Sequence, residues 1–136
     1  VERILRIADF AATEVTVTNG GTVRADDTFI ASTIGANGSV TINGAGSSWN
    51  GDSVLVGRAG TGSLAITGGG QANSRQGTLG IESGATGTLT IDGTGSNWTN
   101  SLALVVGSNG SGTLAITNGG RATNVNAVIA NGFGST

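Results

Sequence analysis

The chain has 136 residues, 26 of them Gly, with 10% charged side chains and a net charge of -2. Six Arg scattered along the chain, with no Lys, form no basic stripe, which excludes a nucleic-acid partner. The absence of Cys excludes a disulfide frame, and no apolar run approaches the ~18 residues of a membrane helix, so this stretch is not expected to insert in a membrane.

In chain order, an apolar cluster at Ile4–Ile7 comes first, followed by Val15 and Val17 with Thr16 between them. Next come Asn19-Gly20-Gly21 and a weakly apolar stretch, Thr22–Ala25, that reads as a short strand. The same sentence then recurs. The apolar pairs are Val15/Val17, Val40/Ile42, Leu64/Ile66, Leu89/Ile91 and Leu114/Ile116, at spacings of 25, 24, 25 and 25 residues. Large apolar residues at i and i+2, separated by Thr or Ala, mark a strand with one face inward.

A second cluster precedes each pair: Ile4–Ile7, Val54–Val56, Leu79–Ile81, Leu104–Val106 and Ala127–Ile129. Before Val40 the sequence leaves two choices for it, Phe29/Ile30 or Ile34. The glycines between the two strands, such as Gly57, Gly60 and Gly62 or Gly107, Gly110 and Gly112, are expected to supply positive φ at tight corners. A third short strand is expected after each pair, as at Gln71–Ser74.

A period of about 25 residues with three strands and three Gly corners predicts an all-β fold, a right-handed parallel β-helix or β-solenoid. It is expected as a single unit over 1–136, with about five coils of 24–25 residues. The hand follows the general preference of parallel crossovers. Helices are not expected, because Gly every few residues costs about 1 kcal/mol each in a helix and no window shows a 3.6-residue period. One coil cannot bury its own apolar side, so the coils must stack, five of them making a rod about 25 Å long. The ten residues of the repeated pairs are then the structural core ladder.

The coils alternate. In the first, third and fifth, the strand runs into Asn19-Gly20-Gly21, Gly68-Gly69-Gly70 and Asn118-Gly119-Gly120; in the second and fourth, into GAGSSWN (44–50) and GTGSNWT (93–99). Trp49 and Trp98 therefore lie two coils apart and are expected to pack corners against neighbouring coils.

Without His, Cys or Lys, triads that need those residues are impossible within the chain, and zinc-type sites lack ligands. Carboxylate chemistry needs two or three acids on one face. Glu2, Asp9, Glu14, Asp26, Asp27, Asp52, Glu82 and Asp92 are spread, and only Asp26 and Asp27 adjoin. A calcium-binding GGxGxD pattern is absent. No enzyme activity, cofactor or metal is expected. An ice-binding solenoid would show rows of Thr-x-Thr. Here the outward row reads Thr16/Thr18, Thr41/Asn43, Ala65/Thr67, Thr90/Asp92 and Ala115/Thr117, with the full pair in one coil alone. The Asn-x-Ser/Thr triplets at 37–39, 97–99 and 109–111 are those expected by chance in this composition.

The pattern GxGSxW, then LxVG, then GxGxLxIxxGG reads here as GAGSSW…VLVG…GTGSLAITGGG (44–70) and GTGSNW…LVVG…GSGTLAITNGG (93–120). Over about residues 13–132 it resembles the tandem repeat of type V secretion (autotransporter) passengers and PEP-CTERM-associated exported proteins. The resemblance implies a β-helix displayed outside a bacterial cell, with no shared catalytic residues to carry over. The first coil departs most, with Glu14, Asp26-Asp27 and Ile7-Ala8.

The chain opens at Val1, with no initiator Met or signal-like segment, and is read as a mature piece or a part of something longer. The expected function is a non-enzymatic extracellular stalk or passenger segment of a bacterial adhesin. A self-assembling filament subunit comes next, then an ice- or glycan-binding solenoid. The partners expected are further coils of the same chain or like subunits stacked end to end, with a host or surface glycan or protein as the kind of ligand its side faces suit.

Overall fold

The computed structural model describes residues 2–130 and Gly132. Among them there are thirteen strands and no helix. One sheet holds five strands: β2 (Ala12–Val17), β5 (Asn37–Asn43), β8 (Thr61–Thr67), β10 (Thr86–Asp92) and β12 (Ser111–Thr117). The other holds eight: β1 (Ile4–Ile7), β3 (Thr22–Arg24), β4 (Asp27–Ile30), β6 (Ser48–Asn50), β7 (Ser53–Val56), β9 (Gln71–Leu79), β11 (Asn97–Val106) and β13 (Arg121–Ile129). Every pairing is parallel and joins one coil to the next, so the molecule is a parallel β-solenoid of about five turns. The larger sheet is folded along its length and forms two of the three faces. Its bend falls between separate strands at Ala25-Asp26 and Gly51-Asp52. Later coils carry it inside β9 and β11, the latter with a register shift between Asn100 and Ala103.

The repeated pairs fall into two straight columns. Val15, Val40, Leu64, Leu89 and Leu114 stand in register, as do Val17, Ile42, Ile66, Ile91 and Ile116. The middle members are buried, with Ile42, Ile66, Leu89 and Ile91 all at 0% exposure. At the ends the columns open: Val15 and Leu114 are partly buried and Ile116 is 44% exposed. On the adjoining face Ile7, Ile30, Val56, Leu79, Val106 and Ile129 form a third inward column.

That column settles the choice near residue 30. Ile30 pairs with Ile7 and Val56, whereas Ile34 is 90% exposed in a corner. Corners into β5 and β10 are two residues longer than those into β2, β8 and β12, and Ile34 occupies the extra length. For the same reason Ile81 lies beyond β9, which ends at Leu79.

The corner glycines require a correction. Gly57 and Gly107 do take positive φ, 68° and 73°. Gly60, Gly62, Gly110 and Gly112 do not; they are glycine because the chain packs too tightly for a Cβ. A Cβ on Gly62, which lies inside β8, would come within 3.0 Å of the Gly57 Cα and 3.1 Å of the Ile30 carbonyl oxygen.

Candidate functional site

The motif residues lie where two kinds of turn meet between coils. In Asn-Gly-Gly coils both central residues of the turn have positive φ: Asn19 55° and Gly20 74°, then Asn118 50° and Gly119 85°. The amide of the third residue closes the turn, as in Gly21 N–H to Thr18 O at 2.9 Å. This is the type I′ arrangement, which explains Asn-Gly. In GxGSxW coils the turn runs Gly44–Ser47 and Gly93–Ser96, closed by Ser47 N–H to Gly44 O and Ser96 N–H to Gly93 O, each at 3.1 Å. Positive φ at Gly46 (82°) and Gly95 (86°) fits the type II pattern.

The serine of GxGS then clasps the coil before it. Ser47 Oγ accepts from the Gly20 amide at 3.1 Å, and Ser96 Oγ accepts from the Gly69 amide at 3.0 Å. Ser96 Oγ also donates to the Asp92 carbonyl at 2.7 Å. Both serines are buried, at 0% and 1% exposure, yet their hydroxyls are paired, as a buried polar group requires.

Two residues further on, Trp49 and Trp98 point into the interior at 3% and 0% exposure. Each sits on the strand after the corner, in a column that reads Val23, Trp49, Ala72, Trp98, Ala122. A small residue separates the two indoles, and both tip toward the N-terminal side. Trp49 Nε1 donates to Thr28 Oγ1 at 3.1 Å and Trp98 Nε1 to Ser74 Oγ at 2.9 Å. Ser74 Oγ in turn donates to Asn100 Oδ1 at 2.7 Å. The ring of Trp98 fills the place of a missing side chain: a Cβ on Gly77 would lie 2.6 Å from its Cη2 and Cζ2. A small cavity of about 10 Å³ lies beside Trp49, Val54 and Ala72.

The sequence pattern marked out these residues. Gly20 and Gly69 stand out in the sequence as turn glycines but not as partners of the serines, and Thr28, Ser74 and Gly77 do not stand out as partners of the tryptophans, because every mate lies 21 to 27 residues away.

The acidic residues do not converge. Among the described residues no group of three or more is arranged to hold a metal ion. Asp26 takes the Arg3 amide at 2.7 Å and an Arg3 guanidinium nitrogen at 3.4 Å, and these bonds hold its carboxyl below the ordinary value. A hydrogen bond to Asp27, reinforced by that residue's charge, raises the carboxyl of Glu2. Arg58 pairs with Glu82 at 3.6 Å, and the Arg6 and Arg58 guanidiniums lie 5.9 and 5.3 Å from the centre of the Phe29 ring.

Asp92 is held by the last coil. Thr117 Oγ1 and Asn118 Nδ2 both donate to its Oδ1 at 2.6 Å, which lowers its pKa. A carboxylate with a depressed folded pKa contributes stability above its unfolded pKa and loses it as pH falls through the folded value. Thermal unfolding followed between about pH 5 and pH 2 should therefore show a falling midpoint. Asp92→Asn should flatten part of that fall, with Asp26 acting in the same sense and the raised carboxyl of Glu2 in the opposite one.

The outer side of the five-stranded sheet is lined with hydroxyls. Asn37, Thr61, Thr86 and Ser111 form one column, and Ser39, Ser63, Thr88 and Thr113 another. Ala65 and Ala115 interrupt the column of Thr41 and Thr90, and Asp92 interrupts that of Asn43, Thr67 and Thr117. Side by side, the two turn types and their clasps define a class, a β-solenoid of two alternating coil kinds locked pairwise. No family model, curated protein or solved structure matches the chain.

Proposed function

We propose that the chain is a non-enzymatic structural module, a stiff β-solenoid spacer displayed outside a bacterial cell as a passenger or stalk segment of an adhesin. One observation carries this reading. The residues that recur in the GxGSxW and GxGxLxIxxGG patterns are engaged in holding one coil on the next: Ser96 clasps Gly69, Trp98 fills the space over Gly77, and Leu64 and Ile66 stand in the core columns. The repeat is thus used for rigidity, and the side faces are left free to vary. The likeness of the repeat to those of autotransporter and PEP-CTERM-associated exported proteins supports placing it at the cell surface.

A second reading, binding of ice or a glycan, is favoured by the hydroxyl columns on the five-stranded sheet. It ranks lower because Ala65, Ala115 and Asp92 break the array. The first reading is tested on intact cells that produce the protein, by adding an external protease and probing with an antibody. Loss of the antibody signal is expected; full protection until the cells are lysed would overturn display.

A further inference from the structure

Each GxGSxW coil docks toward the N-terminus on a coil whose turn is Asn-Gly-Gly or Gly-Gly-Gly, and the same backbone contacts recur. A serine hydroxyl accepts the amide of the central turn glycine, Gly20 or Gly69. The next strand's first amide, from Ser48 or Asn97, donates to the last turn glycine, Gly21 at 2.9 Å or Gly70 at 3.1 Å. The indole of Trp98 lies over Ala72 and Gly77, and that of Trp49 over Val23 and Thr28. The fifth coil presents the receiving half of this contact again. It has the type I′ turn at Asn118-Gly119, Ala122 in the column of Ala72, and Ala127 at the register position of Gly77.

Among the described residues, the Gly119 amide and the Gly120 carbonyl have no partner on that side. Ile116 and Ile129 are 44% and 71% exposed there, whereas their counterparts one coil back, Ile91 and Val106, are 0% and 5% exposed.

We infer that this end face is a socket for one kind of occupant, a further GxGSxW coil that continues the ladder. An Asn-Gly-Gly coil offers neither a hydroxyl for the Gly119 amide nor an aromatic ring to lie over the small side chains of Ala122 and Ala127. The first coil of this chain is of that kind, carrying Asn19-Gly20-Gly21 and Val23, so copies stacked head to tail leave the socket unfilled. The sequence at 130–136, ANGFGST, agrees. Its Gly134 falls where Gly35 and Gly84 fall in ASTIGAN (31–37) and GIESGAT (80–86), the longer corners that lead into GxGSxW coils.

The inference rests on coil stacking and not on display outside the cell, so either can fail while the other stands. It is tested by extending the full chain beyond Thr136 with a copy of residues 87–106, Thr136 taking the place of Thr86. One control carries a copy of residues 62–79, an all-glycine-turn coil. A second carries the first copy with its counterpart of Ser96 changed to Ala. The GxGSxW copy should raise the thermal midpoint by at least about 4 °C and slow exchange of the Gly119 amide about tenfold or more. The glycine-turn copy should give less than half that rise and leave Gly119 exchange unchanged. The Ser→Ala copy should keep most of the rise and lose the Gly119 protection. Equal effects from the two coil kinds, or no protection of Gly119 by the GxGSxW copy, would overturn the inference.

Discussion

Trp98→Ala is expected to lower the stability of the folded chain by about 3–5 kcal/mol, the range for removing a buried aromatic. The indole is fully buried, fills the space above Gly77, and donates its Nε1–H to Ser74 Oγ at 2.9 Å. Its removal opens a cavity in a narrow interior that stacked strands cannot close without breaking their ladder. The Gly77 contact supplies a sharper test. In the native background Gly77→Ala should cost about 1–3 kcal/mol through overpacking, because the new Cβ meets the ring edge at 2.6 Å. With Trp98→Ala present, the same methyl enters empty space and should cost little or stabilise. Denaturant unfolding of the four proteins gives the coupling directly. Additive effects would show that the ring does not depend on the absence of a side chain at 77.

The second large effect distinguishes the middle of the ladder from its end. Leu89→Ala should cost about 2–5 kcal/mol, since Leu89 is 0% exposed between Leu64 and Leu114. Leu114→Ala should cost less than about half as much, because its side chain is covered from one side and the area it buries is smaller. Chemical denaturation with matched slopes measures both. Similar costs at the two positions would contradict a stack in which each coil contacts only its neighbours.

The stacked columns were legible in the sequence because a strand's inward face repeats at i and i+2 and the period of the coils is nearly constant. Val40, Leu64 and Leu89 announce themselves by spacing alone. Three features needed the folded chain. Ile34 and Ile81 look like core residues, but the corners that hold them are longer, and a chain of letters does not show where a strand stops. Gly62 and Gly112 look like corner glycines, whereas they lie inside strands where neighbouring backbone leaves no room. The Ser47–Gly20 clasp joins residues 27 apart in sequence, so both turn motifs were visible while their pairing was not.

The outward side of the third face was half legible for a related reason. Runs such as Val54-Leu55-Val56 place apolar residues on both sides of a strand, and Phe29, Leu55, Val105 and Val128 stand in outward register with Arg6 and Thr78. Period alone cannot say which side of such a run faces the interior.

The strict succession of two turn chemistries has a consequence for how such a rod can change its length. Excising a single inner storey would bring two turns of one kind together, either two amide-bearing turns with no hydroxyl between them or two serine turns with no amide for the second to receive. Excising two, a stretch of about 49 or 50 residues here, from one apolar pair to its counterpart two storeys on, puts a serine turn back on an amide-bearing turn. Changes of length by whole doublets should therefore cost the rod less than changes by a single storey.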